Sequence, residues 1–163
     1  MADIEIHKNP NGDSRSNPNP TIQECTRATK SHINDVIKGM TWIANKLIEV
    51  GKIHDNTKTS KMKEFHEALI SGKIKNSDWY EEHITKERHH LISKCPDDVN
   101  LIDVIECIVD CTMAGLTRSG EIYDVELDPR ILEKAVANTV ELLKKNTKVL
   151  TEAADLLDEK INE

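Results

Sequence analysis

The segment from Val99 to Leu116 is apolar at most of its positions, and it constrains the fold more than any other part of the sequence. A helix that is apolar around most of its circumference lies at the centre of a protein core. Asp103, Glu106 and Asp110 interrupt the segment at three- and four-residue steps, so they form one narrow stripe along the helix. We therefore expect a central core helix over residues 99–116 that carries carboxylates next to a buried interior.

Apolar residues at helical spacing predict further helices before this segment. One is expected over residues 21–50, closed by Gly51, and a short one follows around residues 62–69 after a tight turn. Another is expected over residues 77–93, with Ser77 as its N-cap. The sequence thus predicts an all-α fold.

The two ends of the chain differ from the helical domain predicted over residues 21–128. Residues 1–20 are crowded with Pro, Asn, Gly and Ser, which predicts a flexible tail. Asp128 and Pro129 mark the start of a long final helix over residues 129–163, because an N-cap aspartate and a first-turn proline favour helix initiation. One small bundle cannot cover so long an apolar seam, so we expect this helix to pack on the domain or on a partner subunit in a homo-oligomer.

Charge and composition exclude several functional classes. The chain carries 22 Lys and Arg against 29 Asp and Glu, a formal charge of −7, which disfavours nonspecific binding to nucleic acid. No run approaches the ~20 apolar residues that span a bilayer, so we expect no membrane insertion. Four cysteines without an export signal are typical of a reduced, cytoplasmic protein.

Histidines recur on or beside the predicted core helices. Burying so many ionisable groups beside aspartates would cost several kcal/mol without a cation, which favours a shared metal site. Mixed imidazole and carboxylate ligation suits Mn²⁺, Fe²⁺, Co²⁺, Ni²⁺ or Zn²⁺ better than Ca²⁺. The residues concerned are His32, His54, Asp55, His83, His89, His90 and Asp110.

Spacing predicts which of these side chains meet. His83 and His90 lie seven residues apart, so on one helix they share a face, whereas His89 points about 120° away. Glu87 lies one turn from His83 on that same face. It is a candidate ligand, positioning group or proton acceptor, and Glu106 and Asp103 are candidates for the last two roles.

The ordered pattern H…HD…H…HH…D resembles the HD superfamily of metal-dependent phosphohydrolases, whose members are all-helical. The fragment HDNTK, residues 54–58, is similar to the HDxxK form of many members, and ECIVDCTMAGLTRSG resembles the helix that supplies their final aspartate. The tract DWYEEHITKERHH is most similar to small uncharacterised HD-like proteins of bacteria and phages. The resemblance covers roughly residues 28–120 and implies an HD-domain-like helical bundle, here followed by a long C-terminal helix.

The resemblance also implies roles for individual residues. It implies one or two divalent metal ions, with a core site and, as in binuclear members, a second site completed by two further histidines. Lysine and arginine side chains would contact the substrate phosphate. The implied core ligands are His32, His54, Asp55 and Asp110, the second site uses His83 with His90 or with His89 instead, and the phosphate contacts are Lys58 and Arg118.

The expected activity is hydrolysis of a small phosphorylated molecule, with a nucleotide as the favoured class. A bound cation makes water a nucleophile near neutral pH and stabilises charge on the phosphoryl oxygens. Lys58, Glu87 and Glu106 are the catalytic candidates. Two alternatives stay open: an iron-dependent oxygenase with a di-iron pair, and a non-catalytic module that binds a nucleotide or a protein.

Overall fold

The computed structural model describes residues 3–8 and 17–150. This part of the chain is mostly helical, so the predicted all-α class is confirmed, with a small two-stranded sheet as the departure. In chain order the elements are β1 (Ile4–His7), α1 (Ile22–Ile53), α2 (Asn56–Ser60), α3 (Met62–Ile70), a short 3-10 helix (Ile74–Asn76), α4 (Asp78–Lys86), α5 (Leu101–Arg118), α6 (Pro129–Asn146) and β2 (Thr147–Leu150).

Side-chain caps mark the helix starts that the sequence predicts. The Ser77 hydroxyl accepts the backbone N–H of Tyr80 at the start of α4. Asn100 caps α5, and the Asp103 carboxylate accepts the Asn100 backbone N–H in return. Such caps satisfy the free N–H groups of the first turn, which explains why polar residues at these positions begin helices.

The chain divides into two compact units, and the described residues of the first are 3–8, 17–44 and 142–150. Here β1 pairs in parallel with β2, with Ile4 opposite Thr147. Ile4 is buried, and the Trp42 indole N–H donates to the Asp3 carboxylate at 3.1 Å.

Two predictions for the chain ends are therefore wrong. Residues 4–7 form a strand rather than part of a flexible tail, because residues 147–150 supply the backbone hydrogen bonds they need. The final helix ends at Asn146, where the chain enters that strand. The predicted continuation of this helix over residues 151–163 lies outside the described residues.

The second unit, residues 45–141, contains the core. Its centre is a cluster of apolar side chains from α5, α6 and the segment between α4 and α5: Leu91, Val99, Val104, Cys107 and Ala135. The α5 helix is less central than its composition predicts, since Ile105, Val109 and Met113 are each at least 40% exposed.

Two further features of the described chain concern membrane-spanning helices and the state of the cysteines. None of its helices combines the length and the apolar character that crossing a bilayer requires. Cys25, Cys95, Cys107 and Cys111 are free thiols in the structure.

Candidate metal centre

Three pieces of the second unit position the histidines and acids. The first is the tight turn between α1 and α2, where Asp55 has left-handed backbone angles (φ 55°, ψ 29°). Aspartate tolerates this conformation better than most residues. The second piece is α4 with the turn after it, and the third is α5.

The segment after α4 corrects the predicted helix over residues 77–93. The helix ends at Lys86, and Glu87 has extended backbone angles. Glu87 and Arg88 explain this end, because their side chains reach partners outside the helix: Glu87 accepts from Thr57, and Arg88 binds Asp103. His89 and His90 therefore lie in a turn, and helical spacing does not set their directions.

The first set of converging side chains, the Asp110 group, consists of His54, His89 and Asp110. His54 Nε2 lies 3.4 Å from Asp110 Oδ1, and His89 Nε2 lies 3.9 Å from Asp110 Oδ2. On the opposite edge of both rings, Glu106 Oε1 lies 3.0 Å from His54 Nδ1 and 3.2 Å from His89 Nδ1. Glu106 therefore holds the His54 ring by a hydrogen bond and lies beside the His89 ring, and the Nε2 atoms of both rings face Asp110.

The charges of the Asp110 group are strongly coupled. The carboxylates of Asp110 and Glu106 raise the pKa of His54 to about 10. Burial opposes ionisation of Glu106, yet contacts from His54 and His89 bring its pKa to about 2. The imidazole of His54 likewise lowers the pKa of Asp110. This pocket thus favours a positive charge between its acids.

The second set, the His90 group, consists of Asp55, His89 and His90, so it shares His89 with the first. His83 adjoins it: His83 Nε2 lies 2.8 Å from His90 Nε2 and 3.6 Å from Asp55 Oδ1. Two nitrogens bound to one ion at about 2.1 Å and a right angle would be about 3 Å apart. The His83–His90 pair has that separation.

A buried relay fixes the tautomer of His83. The Thr57 hydroxyl donates its single proton to Glu87 Oε1 at 2.6 Å, and the same carboxylate oxygen accepts the Thr57 backbone N–H at 2.7 Å. The 2.6 Å contact between Thr57 Oγ1 and His83 Nδ1 must then be donated by the imidazole. In the neutral ring, the free electron pair of His83 is therefore on Nε2, facing His90.

The electrostatics of this second set are the reverse of those of the Asp110 group. Burial lowers the pKa of His83, and it lowers that of His90 to about 4. Both rings are neutral at pH 7, which is the form that binds a metal ion.

Arg88 anchors the turn that carries His89 and His90. Its guanidinium donates to both carboxylate oxygens of Asp103, at 2.7 and 2.8 Å, and to Asp98 at 2.9 Å. Bidentate pairs of this kind are geometrically specific. Asp103 therefore both caps the start of α5 and anchors the turn through Arg88. Because its carboxylate makes these contacts, it is not a free proton acceptor beside Asp110.

Several buried polar atoms of the centre lack hydrogen-bond partners. They are Asp55 Oδ1 and both ring nitrogens of His89, whose side chain is 2% exposed. His89 Nδ1 is close to Glu106 but outside hydrogen-bond geometry. An unsatisfied buried polar group costs about 1–3 kcal/mol. A cation bound at His89 Nε2 and Asp55 Oδ1 would satisfy both atoms, so the residues present fit a metal ion.

The structure brings together most of the side chains that the sequence singles out. Lys58, on α2, donates to Asp55 Oδ2 and so lies at the edge of the centre. Glu87 and Glu106 contact other members of the cluster rather than open space. The members that converge are His54, Asp55, Lys58, His83, Glu87, His89, His90, Glu106 and Asp110.

Two predicted residues lie elsewhere. His32 is exposed, in the first unit, on the same uninterrupted helix whose last residue adjoins His54. Among the described residues, His32 belongs to neither group of potential metal ligands. Arg118 is at the end of α5, two turns beyond Asp110, and lines a cleft beside the centre.

Sequence reasoning missed Thr57 and Arg88. Thr57 lies inside the HDNTK fragment, between Asp55 and Lys58, to which the family resemblance gives roles. That position could have identified it as a residue of the site. Arg88 lies between Glu87 and His89, but the sequence contains no local sign that it binds Asp103.

Comparisons with known proteins give no match to this chain among family models, curated proteins or solved structures.

Proposed function

We propose that this protein is a metal-dependent phosphohydrolase that acts on a small phosphate ester. The observation that carries the proposal is the environment of His89. This buried imidazole has two unpartnered nitrogens and belongs to both groups of potential ligands. Three carboxylates, Asp55, Glu106 and Asp110, lie within 4 Å of it, and such a concentration of negative charge favours a bound cation.

The ligands proposed for the ions follow from the two groups. Nε2 of His54 and His89 with the carboxylate of Asp110 would hold one ion, and Asp55 with His90 would hold a second, with His83 beside it. When bound, such ions make water a nucleophile near neutral pH and stabilise charge on a phosphoryl group.

The remaining residues of the cluster act by position and charge. Glu106 orients the ring of His54, and Thr57 with Glu87 orients the ring of His83. These two glutamates are positioning residues in this proposal, because their contacts are to other side chains. Lys58 can release Asp55 and donate to a phosphate oxygen, which is a favourable charge-assisted hydrogen bond.

A di-iron oxygenase is the second candidate, and the shared His89 is what favours it. Because both groups include His89, an ion held by His54, His89 and Asp110 and a second held by Asp55 and His90 would lie close together, and this mixture of nitrogen and oxygen donors also suits iron.

Metal content and turnover test the proposal together. The protein is stripped with a chelator, reloaded separately with Mn²⁺, Co²⁺, Zn²⁺ or Fe²⁺, and assayed against nucleoside phosphates and simple phosphate esters. Asp110→Asn is the test variant. Asp124→Asn is the matched control, because Asp124 is an exposed aspartate in the segment between α5 and α6.

We expect metal-dependent release of inorganic phosphate that Asp110→Asn abolishes and Asp124→Asn preserves. Iron retained through purification, with oxygen consumption and no phosphate release, would replace the hydrolase with the oxygenase. Failure to bind any of these ions stoichiometrically would contradict both candidates.

A further inference from the structure

A cleft of about 460 Å³ opens beside the metal centre, within the second unit. It lies between residues 47–54, at the end of α1, and one face of α5. His54 and Asp110 belong to its lining, so one end of the cleft is part of the Asp110 group. A molecule that presents a phosphate to the metal centre would place its remaining atoms here.

The middle of the cleft is aliphatic. Leu47 and Val50 line one side, and Val109 and Met113 line the other. Val109 and Met113 are 50% and 55% exposed, although α5 buries apolar side chains on its other face. An apolar ligand that covers this surface would remove it from water, which favours binding.

The far end of the cleft is cationic. Arg118 lines it two helical turns beyond Asp110, which corresponds to about 12 Å along the helix axis. Within the described residues, no ion pair or hydrogen bond of the Arg118 side chain is found. An unpaired guanidinium at the end of an apolar cleft favours an anionic group there.

The lining also disfavours a stacked nucleobase. The described side chains around the cleft include no phenylalanine, tyrosine or tryptophan, since Phe65 and Trp79 pack against one another elsewhere in the unit. A volume of this size holds a small organic molecule.

We infer that this cleft binds the non-reacting part of the substrate, and that this part is an aliphatic body ending in a second anionic group at Arg118. The substrate would thus be the phosphate ester of an elongated organic acid rather than a nucleotide. This inference rests on the proposed function, because it deepens the description of the same site.

Binding of compounds that cannot be hydrolysed tests the inference independently of turnover. Alkylphosphonates of increasing chain length, with either a methyl or a carboxylate terminus, are titrated calorimetrically into the metal-loaded protein. Adenosine monophosphate is the comparison ligand. Three variants are measured: Arg118→Gln, Met113→Gln, and Leu116→Gln as the matched control, because Leu116 is a similarly exposed apolar residue of α5 that does not line the cleft.

We expect affinity to rise with chain length and to gain about tenfold more from a terminal carboxylate once the chain reaches Arg118. Arg118→Gln should abolish that gain without weakening the methyl-terminated compounds. Met113→Gln should weaken both series several-fold, and Leu116→Gln neither.

Several results would overturn the inference: affinity independent of chain length, tighter binding of adenosine monophosphate than of every alkylphosphonate, or a Met113→Gln variant that changes only the oligomeric state. The last result would mean that a second copy of the chain covers the cleft. Chain-length-dependent binding without hydrolysis of any phosphate ester would leave the cleft assignment standing and remove the proposed hydrolase. Hydrolysis without chain-length dependence would do the reverse.

Discussion

The Asp110 group and the His90 group share one imidazole, His89, but are built differently around it. In the Asp110 group, the Glu106 carboxylate contacts the ligand rings directly, and the pKa of His54 rises to about 10. In the His90 group, the Thr57 hydroxyl accepts from the adjoining His83 and itself donates to Glu87. Burial lowers the pKa of His90 to about 4.

The difference shows how one small cluster creates two unlike sites. Direct carboxylate contacts attract positive charge, whether a proton or a metal ion, whereas buried neutral imidazoles supply electron pairs without adding charge. We therefore expect the Asp110 group to bind the first ion more tightly and the His90 group to bind a second, weaker one.

Removing the charge of Asp55 should have the largest effect, because this residue lies beside both groups. Asp55→Asn keeps the shape of the side chain, and asparagine tolerates the left-handed backbone of this position. We expect metal affinity to fall more than about 100-fold at both sites, beyond the 10–100-fold typical of residues that only support a ligand. Metal analysis after equilibrium dialysis measures this.

Lys58→Met is the control for that experiment, since it removes the partner of the Asp55 carboxylate and leaves the carboxylate in place. It should retain both metal ions and lose turnover. Equal metal loss in the two variants would contradict the role given to Asp55.

Single substitutions in the two groups should separate them. Asp110→Asn should remove the tighter ion, whereas His90→Gln should remove the weaker ion and leave one ion bound per chain. Calorimetric titration with Mn²⁺ gives both stoichiometries. Loss of the same ion in both variants would mean that the two groups are one site.

The supporting residues should have smaller effects, of about 10–100-fold in metal affinity. Glu106→Gln should weaken the tighter site, and Thr57→Val should weaken the other by releasing the Nδ1 proton of His83. Thr57→Ser keeps the hydroxyl and is the control. If Thr57→Val acts on the tighter site instead, the relay does not serve His83.

The two groups should respond oppositely to pH in the metal-free protein. The folded pKa of His54, about 10, lies above its ordinary value of 6.5, so its stabilisation is complete below pH 6.5 and lost as the pH rises through 10. The folded pKa of His90, about 4, lies below 6.5, so its stabilisation is complete above pH 6.5 and lost as the pH falls through 4. Titration of the histidine C–H signals by NMR follows both, and Glu106→Gln should lower the pKa of His54 and leave that of His90 unchanged.

The smallest effect is expected at His32, which is exposed and outside the unit that contains the centre. His32→Ala should leave metal content and turnover unchanged. A loss of metal comparable to that of Asp110→Asn would show that the residue joins the site in solution.

Local signals in the sequence predicted how α4 begins but not how it ends. Ser77 caps α4 through a contact only three residues away, so the start could be read from the sequence. The same helix ends at Lys86 because Glu87 binds Thr57 and Arg88 binds Asp103, and these partners are distant in sequence. For the same reason the strand after α6 was missed, since its partner is residues 4–7.

The candidate site shows the same difference between what local sequence predicts and what distant contacts decide. Glu106 and Asp110 share one face of α5 because that helix is regular, and the tight turn after α1 brings the adjacent pair His54 and Asp55 to the same place. Helical spacing set His89 aside as the alternative to His90, whereas the turn after α4 brings both to the centre. His32 shows the opposite case: its place on a predicted helix of the core indicated burial, whereas its side chain is exposed.

Anomalous diffraction from a crystal of this protein grown with Mn²⁺ tests the central claim most directly. We predict a strong anomalous peak within bonding distance of His54 Nε2, His89 Nε2 and the Asp110 carboxylate, with a weaker second peak beside Asp55 and His90. A well-ordered map in which these side chains hold their present positions and no peak lies among them would contradict the metal centre and the hydrolase built on it.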